Sequence, residues 1–184
     1  MSFSVCIFCG SSFGDDPCYT HAARETGFEI ARRGWTLVYG GARVGLMGVV
    51  ANAALDAGGR VVGVVPRFLY EREVGHDGIT SLEIVGSLTE RKLRMGELSD
   101  AFLSLPGGIG TLDELFEAWS WSQVGLQSKP SALLNVAGYY DALVAFVERA
   151  TAAGFVKPQH RQWLSVSNDV GELLDRVRRR PSPP

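Results

Sequence analysis

The chain has 184 residues, 46% of them apolar and 21% charged, with a formal net charge of −2. Those figures describe one ordinary globular domain large enough to bury a sizeable core. The near-neutral charge argues against nucleic acid or an anionic membrane as partner, and no run approaches the roughly 20 consecutive apolar residues of a membrane span.

The N-terminal MSFSVCIFCGSS has neither a basic n-region nor a long apolar h-region, so no signal peptide is expected. Its SVCIFC (4–9) is the first strand. Cys6 and Cys9 form a C-x-x-C there, but three residues apart on a strand means opposite faces, and no second pair exists for zinc. They read as core. With Cys18 they make an odd set of three in a chain too large to need disulfide staples, which favours a reduced, cytoplasmic setting.

Asp16-Pro17 supplies a cap and a first-turn proline for a helix running to about Gly34. Strands follow at TLVYG (36–40), RVVGVVP (60–66), SLEIVG (81–86), AFLSL (101–105) and SALLNV (131–136), with WLSVS (163–167) a shorter seventh. Several lack period-2 alternation, as strands covered on both faces do. Helices are expected over about Gly45–Ala57, Leu88–Leu98, Thr111–Val124, Tyr139–Ala153 and Val170–Arg179. The alternation predicts an α/β, Rossmann-like doubly wound domain over residues 1–180, with a mainly parallel sheet of about six or seven strands and helices on both faces. Residues 181–184 read as a disordered tail.

In such sheets ligands sit beyond the carboxyl ends of the strands. Three loops there are rich in glycine or serine: CGSSFGDD, GGARVGLMG and PGGIGTLDE. None matches G-x-G-x-x-G, and none carries the G-K-[ST] of a triphosphate loop. Gly107, Gly108, Gly110 and Thr111 before a helix would still suit one phosphate, since unpaired N–H groups and the helix dipole both favour an anion. Thr111-Leu112-Asp113-Glu114 also reads as a capping box, with Glu114 folded back onto the Thr111 amide where it would compete with that phosphate. Leu112, Leu115, Phe116 and Trp119 form the apolar face of this helix. Glu90-Arg91-Lys92 reads on its own as a solvated charged turn.

Two motifs taken together say more. PGGIGTLDE (106–114) matches P-G-G-x-G-T-x-x-E, and ERKLRM (90–95) matches R-K-x-x-M upstream of it. With GGARVGLMG and CGSS, the stretch from Cys6 to Lys129 resembles the cytokinin-activating phosphoribohydrolases, the LONELY GUY family, whose members were often mislabelled lysine decarboxylases. The resemblance implies a Rossmann-like homodimer that uses no metal or cofactor. It would cleave the N-glycosidic bond of N6-substituted adenosine 5′-monophosphates, releasing free base and ribose 5-phosphate. The family's catalytic pair falls on Arg91 and Glu114. Its substrate contacts fall on Glu73, Arg91, Lys92, the stretch Gly107, Gly108, Ile109, Gly110, Thr111, Leu112, Asp113 and Glu114, on Ser120, and on Gly41, Gly45 and Met47. A carboxylate suits this chemistry, because the breaking bond leaves positive charge on the ribose. Arg91 stays protonated, which fits orientation and charge balance. Two rivals stand beside this reading: a non-catalytic nucleotide-binding or carrier module of the same fold, and a purely structural role for Thr111 and Glu114.

Overall fold

The structure, a computed structural model, describes residues 2–179; the 181–184 tail lies outside them. Its strands are β1 (Ser4–Phe8), β2 (Thr36–Tyr39), β3 (Arg60–Pro66), β4 (Ser81–Val85), β5 (Ala101–Ser104), β6 (Ser131–Leu134) and β7 (Leu164–Ser167). Between and after them run α1 (Pro17–Arg32), α2 (Gly45–Asp56), α3 (Arg67–Leu69), α4 (Leu88–Glu97), α5 (Ile109–Gln123), α6 (Asp141–Ala152), α7 (Pro158–Gln162) and α8 (Val170–Arg179). All seven strands pair in parallel, in the order β4-β3-β2-β1-β5-β6-β7. The expected doubly wound sheet is therefore present. Its order reverses between β1 and β5, which opens a crevice at their carboxyl ends.

Strand alternation sorts the core into layers. Val5, Ile7 and Cys9 face the side covered by α1, α2 and α8, packed with Ile30, Val50 and Leu173. Cys6 and Phe8 face the other side, against Met95 of α4 and Ala118 of α5. A third cluster packs Leu115 and Trp119 of α5 on Leu133, Val147 and Leu164. Cys6 and Cys9 thus lie on opposite faces, both buried. Burial raises both thiols well above their usual range, and the Glu114 carboxylate adds to that, so neither is a redox or metal thiol.

Asp16 caps α1 as its sequence indicates, accepting from the Cys18 N–H at 2.8 Å. The capping box expected at Thr111 and Glu114 does not form. Helix α5 starts two residues earlier, with Gly108 at the N-cap, so Thr111 is already helical and Glu114 points to another partner. A close variant of that device stands at Ser87-x-x-Glu90. The Ser87 hydroxyl accepts from the Glu90 N–H at 3.1 Å, and Glu90 accepts from the Gly86 N–H at 2.7 Å. Phe116, expected in the core, is 38% exposed. The short α3, the π-helical turn Tyr70–Val74 that continues it, and α7 were not anticipated.

Strand β7 is a sheet edge, and its outward carbonyls are covered. Arg161 donates to the Leu164 carbonyl at 2.9 Å and Arg176 to that of Val166 at 3.1 Å. Capping an edge this way blocks addition of a foreign strand.

Candidate active site

The three glycine-bearing loops meet at the β1/β5 crevice. The Gly10 N–H donates to the Pro106 carbonyl at 3.0 Å, joining the loops after β1 and β5. Gly45 opens α2 at φ 55°, and a Cβ there would lie 2.3 Å from the Ser11 backbone, so only glycine lets the β2 loop close onto the β1 loop. A Cβ on Gly107 would meet the Thr111 hydroxyl at 2.1 Å. At Gly108 and Gly110 a Cβ would meet nothing within 4 Å: the start of α5 borders open space. Residues Gly10, Ser11, Tyr19, Leu46, Gly107 and Tyr139 help line the resulting cavity of about 280 Å³.

Outside the lining of that cavity, Arg91 of α4 donates through Nη2 to Oε1 of Glu114, one helical turn past Gly110 on α5. Both side chains are largely buried, at 13% and 9% exposure. The Arg91-Lys92 segment is therefore no solvated turn: it lies in the first half of α4, which the parallel topology brings to the carboxyl edge of the sheet. A Cβ on Gly40 would lie 3.3 Å from Arg91 Nη1 and 3.4 Å from Met47 Sδ, so Gly40 leaves the space that Arg91 and Met47 fill. Arg91 Nε is buried without a partner among the described residues, a donor still to be satisfied.

Burial pushes the Glu114 carboxyl up to about 6, against the opposing pull of Arg91. The folded protein thus holds this proton more tightly than the unfolded chain, whose carboxyl has the ordinary value of 4.5. Its ionisation costs about 2 kcal/mol of stability, a penalty absent below about pH 4.5 and complete once the pH has risen past about 6. Such a shift, beside a specific charge partner at the carboxyl edge of the sheet, makes Glu114 a candidate for chemistry.

The other expected residues fall into distinct places. Lys92 bridges Asp113 at 3.0 Å and Glu117 at 2.9 Å; burial opposes its charge, but the hydrogen bonds it donates to Glu117 and Asp113 outweigh that and raise the pKa. Leu112 packs against the α5–α6 core, and Ile109 is 89% exposed. Gly41 is wedged against Leu82 and Val65, and its carbonyl accepts from the His76 N–H, so it shapes the loop rather than facing open space. Ser120 lies six residues beyond Glu114, a rise of about 9 Å, and its hydroxyl donates to the Glu117 carbonyl. Within one chain it is not brought to the crevice. The Glu73 side chain lies outside the described residues. Tyr139, which no motif singled out, does reach the site. Among the described residues no cluster of three or more His, Cys, Asp or Glu could hold a metal ion. No described helix is long and apolar enough to cross a membrane.

A family model described as "Possible lysine decarboxylase" matches residues 47–177. A protein of Rhodococcoides fascians named cytokinin riboside 5′-monophosphate phosphoribohydrolase is 47% identical over 176 residues, 95% of this chain and 89% of that one. An Arabidopsis thaliana protein of the same name is 43% identical over 173 residues, covering 94% and 76%. The chain belongs to this phosphoribohydrolase (LONELY GUY) family. Solved structures repeat the fold at lower identity. A molybdenum cofactor binding protein from Rippkaea orientalis aligns with TM-score 0.74 at 20% identity, over 97% of this chain and 96% of that one. The molybdenum cofactor carrier protein of Chlamydomonas reinhardtii gives 0.71 at 21%, over 97% and 96%.

The decarboxylase wording of the family model finds no lysine suited to a Schiff base. Lys129 and Lys157 precede β6 and β7, at the amino edge of the sheet, opposite the glycine loops. Lys92 is on the correct edge but is held by two carboxylates.

Proposed function

We propose that the protein hydrolyses the N-glycosidic bond of adenosine 5′-monophosphates, N6-substituted ones above all, to free base and ribose 5-phosphate. The observation that carries this is the buried Arg91–Glu114 pair beside the open start of α5. The 5′-phosphate sits against the first N–H groups of α5, which have no partner within the helix, and the ribose faces Glu114. The stretch 1–180 acts as one domain, because the sheet that builds the site runs from Ser4 to Ser167.

Bond cleavage develops positive charge on the ribose, and ionised Glu114 stabilises it and steers the attacking water. Arg91 stays charged throughout and cannot deliver a proton; it fixes the carboxylate and offers its remaining donors to the substrate. Chromatography of free base released from AMP and from N6-isopentenyl-AMP tests the reading. Release from the substituted nucleotide is expected; tight AMP binding with no release from either would favour a carrier module instead.

Because Glu114 must be ionised, kcat/KM, which reports the free enzyme, rises with pH along a limb centred near 6, while this residue's contribution to stability falls between about 4.5 and 6. A pH–rate profile checks this, and a limb at the ordinary carboxylate value of 4.5 would contradict it.

The working unit is a homodimer of this cytoplasmic enzyme. Leu93 of α4, Phe116 of α5 and Val124 and Leu126 just beyond it are exposed apolar groups on the side away from α1 and α2. Sedimentation at working concentration giving a clean monomer would remove the dimer.

A further inference from the structure

The α5 start is approached from an unexpected quarter. Three successive carbonyls of the β5–α5 loop are each held by a different donor. Tyr140 Oη donates to Leu105 at 2.7 Å, the Gly10 N–H to Pro106 at 3.0 Å, and Tyr139 Oη to Gly107 at 2.8 Å. Both tyrosines belong to the turn between β6 and α6, more than 30 residues beyond the loop.

That turn is built to aim them. Asn135 accepts from the Tyr140 N–H at 2.7 Å and donates to Asp141 at 2.7 Å. Ala137 sits at φ 48° and Gly138 at φ 76°, left-handed backbone that an alanine disfavours. Tyr139 is stacked edge-on between Tyr19, at 5.5 Å, and Tyr140, at 4.8 Å. Tyr140 is buried and serves the core, whereas Tyr139 is part-exposed on the cavity wall.

In a planar trans peptide the carbonyl and the following N–H point opposite ways. Holding the Gly107 carbonyl therefore turns the Gly108 N–H away from Tyr139. Holding the Pro106 carbonyl does the same for the Gly107 N–H. Glycine at both positions leaves these peptides free to rotate unless something outside the loop fixes them.

We propose that Tyr139 is a positioning residue for phosphate binding: its hydroxyl fixes the Gly107–Gly108 peptide so that the N–H groups at the start of α5 are set before the nucleotide arrives. This rests on reading that loop as the phosphate site. A preset donor is worth the same to bound substrate and to transition state, so its loss raises KM and leaves kcat nearly unchanged.

Tyr139→Phe removes the hydroxyl and keeps the ring between Tyr19 and Tyr140. Calorimetry with ribose 5-phosphate, AMP and adenosine, beside steady-state kinetics and thermal melting, is the test. The expected result is a three- to tenfold weaker affinity for ribose 5-phosphate and a matching rise in the AMP KM, about what one neutral hydrogen bond supplies. Adenosine affinity, kcat and melting temperature stay as in the native protein. Equal weakening for AMP and adenosine, or no change for ribose 5-phosphate, overturns the role of Tyr139. If the native protein itself binds no ribose 5-phosphate, the phosphate reading falls and this inference with it; native binding with an unaffected variant removes Tyr139 alone.

Discussion

Glu114→Gln lowers base release at least about 100-fold, the usual loss when one group that stabilises transition-state charge is removed from a water-poor site. The fold survives, because the amide oxygen still accepts from Arg91 Nη2 and no carboxylate remains to be desolvated. Free base measured by chromatography beside a thermal melt separates the possibilities. Activity lost with melting temperature kept means chemistry. Melting temperature lost with activity kept would mean that Glu114 serves only the helix, although the structure has already taken away the cap that once made that plausible.

Arg91→Met has the second large effect, and it acts through the same carboxyl. Desolvation already raises Glu114, and Arg91 is the strongest opposing influence, so its removal drives the carboxyl further up. At neutral pH a larger fraction of Glu114 is then protonated, and less charge is supplied to the ribose. The rate at pH 7 falls about tenfold for each unit by which the carboxyl is carried past 7, and the acid limb of the pH–rate profile moves to higher pH. The stability loss is bounded, since a buried carboxyl can always take up a proton. At pH 7 that costs about 3 kcal/mol from an ordinary value of 4.5, of which about 2 kcal/mol is already borne in the native protein. Roughly 1 kcal/mol plus the lost packing of the arginine stem is the expected penalty at pH 7, and less at pH 5. Urea unfolding at the two pH values measures it; a larger loss at pH 5 than at pH 7 would contradict the electrostatic origin.

The fold was legible because it depends on local signals. Runs such as RVVGVVP have too little polar alternation for a half-solvated strand, and glycine or serine loops follow β1, β2 and β5. What could not be read was whether a given S/T-x-x-E pattern is a cap. Ser87–Glu90 follows a strand end and does cap α4; Thr111–Glu114 follows glycines that let the backbone enter α5 two residues sooner. The pattern alone does not contain that distinction. Nor do local signals contain the Arg91–Glu114 pair, which spans 23 residues and two helices, and which came from the resemblance rather than from periodicity. Tyr139 lay further out of reach. Its hydrogen bond crosses 32 residues and depends on a left-handed alanine that sequence gives no reason to expect. The exposed Phe116 shows the same limit, since helical spacing names a face but not how much of it a neighbour covers.

A crystal structure of the Glu114→Gln variant with AMP bound tests the central claim most directly. The phosphate is expected against the backbone N–H groups of residues 108–111, with the ribose C1′ within about 4 Å of residue 114, near the contact distance from which reaction proceeds. The nucleotide seated elsewhere would contradict it, whether in the groove of about 770 Å³ along β7 lined by Arg161 and Arg176, or in the crevice with its ribose turned away from residue 114.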